Sequence, residues 1–112
     1  SGYTACQELL RSGNKFSALF SCTDNMAEGA YRALSEAGLK IPDDVSVFGF
    51  DNEQMTAFMT PSLSTVNIPV IEMTKTAIEQ SIKLINGENT FAIPLFHGEL
   101  VLRESAIPYH AN

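Results

Sequence analysis

The sequence predicts an α/β protein in which a parallel sheet carries helices on both faces. Two observations point to the sheet. Residues 16–22 and 45–49 are short apolar runs bounded by turn residues, the pattern of strands buried on both faces. A third observation points to the winding: amphipathic helical patterns alternate with these runs through short connections, in the order helix, strand, helix, strand.

The first helix covers residues 2–12. Tyr3, Cys6, Leu9 and Leu10 recur at three- and four-residue steps, and Gly13-Asn14 stops the run. The strand at 16–22 follows, with Ala18, Leu19 and Phe20 at its centre. Thr23-Asp24 then opens a helix that reaches about Ala37, and either side chain is a candidate cap for the first-turn amides. Met26, Ala30, Ala33, Leu34 and Ala37 form its apolar face, and Gly38 stands where a left-handed C-cap belongs. The second strand, entered through the Pro42-Asp43-Asp44 turn, ends just before Asp51.

Residues 52–62 read as a loop, or a loop holding one helical turn, yet they carry Met55, Ala57, Phe58 and Met59. Such a loop either folds back on its own core or meets another subunit. An extended segment, 61–68, leads to Pro69, which suits the first turn of a helix reaching about Ile85. Its stripe of Val70, Met73, Ala77, Ile78, Ser81, Ile82 and Ile85 reads as core. Two strand-like pieces, 92–97 and 99–103, surround Gly98, and 107–112 is a loose end.

Composition restricts the function. Among 112 residues, 45 % are hydrophobic, enough for a packed core in one domain or part of one. Thirteen acids against seven bases give a net charge of −6, which argues against a grip on a nucleic acid backbone. Cys6 and Cys22 lack zinc-like spacing and read as buried, reduced thiols of a cytosolic protein. No apolar run approaches the roughly 18 residues that span a bilayer, and no signal peptide is visible. The chain opens on Ser-Gly-Tyr within a helical pattern, so it is expected to be a fragment of a longer protein.

The chemistry of catalysis is missing from the pattern. There is no glycine-rich phosphate loop and no serine-nucleophile elbow, and no carboxylate pair has a catalytic geometry, since Asp43 and Asp44 read as turn acids before a strand; no cofactor is expected. His97 falls in a strand pattern and His110 in the tail, both isolated. Two acids remain of interest, each following a strand. Asp24 reads as a helix cap and dipole partner. Asp51 reads either as a ligand contact at the carboxyl end of the sheet or as an Asx-type turn. A carboxylate accepts several hydrogen bonds, which suits the neighbouring hydroxyls of sugars and polyols. Phe48, Phe50 and Phe58 are candidates for an apolar ring face beside it.

Four segments together resemble the LacI/GalR family of bacterial repressors. Cys22-Thr23-Asp24-Asn25-Met26-Ala27-Glu28-Gly29-Ala30 is similar to the family's N-D-x-M-A-x-G-A segment. The run from Gly38 to Asn52 resembles its G-L-x-x-P-x-D-x-S-V-x-G-[FY]-D signature. Pro61-Ser62-Leu63-Ser64-Thr65-Val66 resembles P-x-L-T-T-[VI], and Leu100-Val101-Leu102-Arg103-Glu104-Ser105 resembles the closing L-[VI]-x-R-x-S.

The resemblance implies the later part of an effector-binding domain of the periplasmic-binding-protein type I fold. Residues 1–66 and 98–112 would form the C-terminal subdomain, and 67–97 a crossover and helix of the N-terminal one. It implies a small-molecule effector, a sugar or related polyol or nucleoside, contacted by Asp51 and by Thr23, where the family often has Asn. It implies a homodimer with Met55, Phe58 and Met59 near the interface, and operator binding only through a headpiece outside this chain. The helix from Pro69 would lack its natural sheet. A cytoplasmic regulator is thus the leading expectation, and a transport solute-binding protein of the same fold is the alternative. An enzyme is not expected.

Overall fold

Ser1 opens helix α1 (Gly2–Arg11), its hydroxyl accepting from the Thr4 amide at 3.3 Å, which satisfies one first-turn donor. Helix α2 (Asp24–Glu36) begins the same way: Thr23 is extended and its hydroxyl accepts from the Met26 amide at 3.2 Å. It stops before Gly38, whose φ of 72° is the predicted left-handed turn. Its buried positions, Ala27, Ala30, Ala33 and Leu34, follow the helical period. α1 packs against α2. A Cβ on Gly2 would overlap the Met26 carbonyl oxygen, and one on Gly29 would stand 2.5 Å from the Tyr3 amide nitrogen. Both positions therefore need glycine for the helix backbones to approach this closely.

The computed structural model describes residues 1–88 and 93–110. These fall into two compact units, Ser1–Asn67 with Leu100–Asn112, and Ile68–Glu99. In the first unit β1 (Ala18–Phe20) and β2 (Ser46–Phe48) pair in parallel, Leu19 opposite Val47. α2 is the crossover between them and packs on β2. The β2 amides point alternately to two neighbours: Ser46 donates to the Ser17 carbonyl at 2.9 Å, Val47 to the Ser105 carbonyl at 2.8 Å. From its last residue onward, parallel bridges join Phe48 to Ser64 and Asp51 to Asn67, alongside β3 (Thr65–Asn67). β3 pairs in turn with β4 (Glu99–Val101). Val45, Val47, Leu34, Leu63 and the α2 alanines close the core, with Cys6 reaching it from α1. Burial raises the Cys6 thiol pKa.

Several expectations need correction. β1 is not buried on both faces: Ala18 and Phe20 are exposed, Phe20 by 61 %. Its only strand partner among the described residues is β2, so it is an edge. Cys22, just beyond β1, is accordingly exposed rather than buried. The α3 (Val70–Ile85) stripe is not core. No residue of that helix is buried, and Ile78 and Ile82 are about half exposed at 55 % and 53 %. The unit Ile68–Glu99 holds no other complete helix or strand among the described residues, and a lone helix cannot cover its own apolar face. Of the strand expected at 92–97, Ala92 lies outside the described residues, and 93–97 has no regular structure. His97 is therefore exposed chain, not strand. The 52–62 loop contains a 3₁₀ turn at Gln54–Phe58, the single turn of helix anticipated.

Candidate functional site

The site is the turn that follows β2. Three consecutive amides are each held by a different partner. Asp51 donates to the Val66 carbonyl at 3.0 Å, Asn52 to the Thr65 hydroxyl at 3.2 Å, and Glu53 to Asp24 Oδ2 at 2.7 Å. Between these anchors the backbone takes φ of 112° at Asp51 and 57° at Asn52. Positive φ at a residue with a side chain costs on the order of 1–3 kcal/mol and persists only where the surroundings over-determine it. Here β3 and α2 supply that determination.

Asp24 is the buried hub of the arrangement, with no exposed surface. It stands in the first turn of α2, where the helix dipole favours a carboxylate. Its own amide donates to the Phe50 carbonyl at 2.9 Å, tying the start of α2 to the end of β2. Its Oδ1 accepts from the Thr65 hydroxyl at 2.7 Å while Oδ2 takes the Glu53 amide. Space for the carboxylate exists because residue 49 is glycine. A Cβ there would collide with Asp24 Oδ1 and lie 2.9 Å from Leu63 Cδ2.

On the other side of the turn Asn52 is gripped at both ends of its amide. Its Nδ2 donates to Asn67 Oδ1 at 3.0 Å, and its Oδ1 accepts from Arg103 Nη2 at 2.9 Å. Arg103 Nη1 donates to the buried Thr56 hydroxyl at 3.0 Å and to the Leu63 carbonyl at 2.8 Å. Ser105, also fully buried, donates to the Val47 carbonyl at 2.6 Å and accepts from the Ser64 amide at 2.8 Å. No buried side-chain nitrogen or oxygen among the described residues is left without a partner, as a buried polar network needs in order to stabilise.

Asp51 itself is half-buried, and no hydrogen bond joins its carboxylate to another described residue. The turn is held by Asn52 and by main-chain amides, so this carboxylate is left to accept from something else. Thr23 directly precedes Asp24, whose amide bonds the carbonyl of Phe50, the residue before Asp51. Its oxygen caps α2, which leaves its proton as a donor. Of the two cap candidates, then, Thr23 is the cap and Asp24 the buried tie. Met59 packs against the core and Met55 is half-buried, whereas Phe58 is 79 % exposed. Of the two alternatives for this loop, Met59 follows the first by folding onto the core, and Phe58 is exposed. Among the described residues no group of three or more His, Cys, Asp or Glu is placed to hold a metal ion. Two surface hollows of about 590 and 660 Å3, lined by Tyr31 and Lys40 and by Ser46 and Tyr109 among others, do not include Asp51.

Asn52, Thr65, Thr56 and Arg103 had no assigned role in the sequence. Arg103 carried a signal nonetheless: a cation at the end of the apolar run Leu100-Val101-Leu102, within the closing motif that reaches Ser105.

Comparison with known proteins identifies the domain. The profile of the periplasmic binding protein-like domain matches residues 2–106. The chain is 41 % identical over 107 residues to the HTH-type transcriptional regulator AscG of Escherichia coli strain K12, covering 96 % of this chain and 32 % of that protein. It therefore spans about a third of that relative's length. Among solved structures it resembles a transcriptional regulator CelR–cellobiose complex, with 32 % identity and a TM-score of 0.86 over 95 % of this chain and 33 % of that one. It also resembles a LacI family transcriptional regulator from Enterococcus faecium with bound ribose, at 31 % identity and a TM-score of 0.82, covering 97 % and 40 % of the two chains.

Proposed function

This chain belongs to the LacI/GalR family of transcriptional regulators, within the periplasmic binding protein-like domain, and from that membership we propose that it is the effector-sensing part of such a regulator. The observation that carries the reading is the Asp51 carboxylate, half-buried at the carboxyl end of β2 on a turn fixed at three successive amides, with its oxygens unused by described residues. Open α/β sheets receive ligands at that end. A preorganised carboxylate accepts from two adjacent hydroxyls, and the Thr23 hydroxyl is a second polar contact. The effector is of the sugar class, a reading supported by two similar structures, one a complex with cellobiose and one with bound ribose.

Residues 1–66 and 98–112 are assigned to the C-terminal subdomain and 67–97 to the N-terminal one. In the full-length regulator effector binding shifts a closure equilibrium, which by linkage changes operator affinity through a headpiece outside this chain. A second copy of the chain docks at Met55, Phe58 and Met59. Such a regulator works in the cytoplasm. The regulators among the relatives named above favour this reading over a transport solute-binding protein.

Calorimetric titration of the full-length protein with cellobiose, ribose and a panel of other sugars and nucleosides tests the proposal. One of them is expected to bind and to raise the melting temperature by mass action. Asp51→Asn should weaken that binding by roughly ten- to a hundredfold, the loss of a hydrogen bond to a charged group. Binding unchanged in Asp51→Asn rules Asp51 out as the contact.

A further inference from the structure

Arg103 makes three hydrogen bonds through its guanidinium, and all three acceptors are neutral: an amide oxygen, a hydroxyl and a peptide carbonyl. No carboxylate of the described residues lies within salt-bridge distance of it. What this position uses is therefore the planar fork, which reaches in two directions at once. Its backbone is fixed as well: the Arg103 amide donates to Ser64 Oγ at 2.8 Å, and that hydroxyl donates to the Arg103 carbonyl at 3.3 Å.

Asn52 meets this rigid fork with only one free end. Its Nδ2 is committed to Asn67, so Oδ1 must face Arg103. Its amide is held by Thr65. With side chain and amide both fixed, Asn52 has no route out of its left-handed conformation, and Asp51 must adopt φ of 112° to join Asn52 to the amide anchor at Val66. We propose that Arg103 is a positioning residue that holds the Asp51–Asn52 turn in its ligand-receiving shape by clamping the Asn52 side chain. The inference rests on the reading of Asp51 as a ligand contact and adds the residue that makes that contact possible. Arg103 touches no ligand itself.

Amide hydrogen exchange resolved by NMR on the intact protein tests the clamp. Arg103→Met should speed exchange at Asn52 and Glu53 about tenfold or more, with Val47 unchanged. Asn52→Ala should speed Glu53 by a similar factor, and the double variant should add nothing at Glu53. Thr56→Val removes another Arg103 partner and should leave both amides alone. Acceleration of Val47 by the same factor, or additive effects of Arg103→Met and Asn52→Ala at Glu53, overturns the clamp. Where Arg103→Met does not fold, Asn52→Ala carries the test, and unchanged exchange at Glu53 overturns it. Titration with whichever of cellobiose or ribose binds is the second arm: Arg103→Met should weaken it about tenfold, and undiminished affinity overturns the positioning role. Sugar affinity indifferent to Asp51→Asn overturns the ligand reading beneath, and leaves the exchange result standing on its own.

Discussion

Asp24 offers the sharpest test of the packing beneath the site. Asp24→Ala removes two hydrogen bonds of 2.7 Å each from a fully buried side chain and takes away the partner of the Glu53 amide. Hydrogen bonds to charged groups contribute about 1.5–3 kcal/mol, so the expected loss is on the order of 3–5 kcal/mol. Asp24→Asn is milder. Its oxygen can turn to the Glu53 amide while its NH2 faces Thr65 Oγ1, which has lone pairs to accept with. The cost is then the lost helix-dipole term and one unplaced hydroxyl proton, about 1–2 kcal/mol together. The chain has no tryptophan, so urea unfolding is followed by far-ultraviolet circular dichroism. With a slope of about 2 kcal/mol per molar urea, the alanine midpoint falls by roughly 2 M and the asparagine midpoint by less than about 1 M. Equal losses in the two variants would refute the assignment of one carboxylate oxygen to each partner.

Burial pushes the Tyr31 phenol up to about 12, while its hydroxyl donates to the Pro61 carbonyl at 3.1 Å. The folded pKa lies above the unfolded value near 10, so this contribution to stability is complete below pH 10 and is lost as pH rises toward 12. Tyr31→Phe should flatten the fall in unfolding free energy across that window, measured by urea titration at successive pH values. Phe58→Asp, at a 79 % exposed position, should weaken self-association in sedimentation equilibrium while moving the unfolding midpoint little, as exposed substitutions do; unchanged self-association removes Phe58 from the interface.

The helices were legible because their signals are local. Thr23 and Gly38 bracket α2, and its alanines repeat at the helical period, all within one window of the chain. Exposure was less legible. Residues 16–22 have the composition of a central strand, but whether a strand is central depends on what pairs with its far edge, and that is no property of the run itself. The α3 stripe read as core from its period alone and is exposed, as the resemblance implied for a helix without its natural sheet: an apolar face shows that a partner is wanted, not that one is present. Asp51 was legible as an acid after a strand. Its support was not, because Arg103 reaches Asn52 across 51 residues of sequence and Thr65 reaches Asp24 across 41.

The four segments that carry the family resemblance turn out to be four sides of one hydrogen-bonded network. The first contributes Asp24, the second Gly49 and Asn52, the third Ser64 and Thr65, the last Arg103 and Ser105. Each polar member is satisfied by another segment: Asp24 by Thr65, Asn52 by Arg103, Ser64 by Ser105. A group left behind by a single substitution would be buried and unpaired, at a cost of about 1–3 kcal/mol. The residue types at these positions therefore constrain one another, although they lie far apart in the chain. Asp51 lies on the turn that this network holds, yet no described residue bonds its carboxylate. Its neighbours are explained by the fold; its own side chain is the one that the proposed function assigns to a ligand.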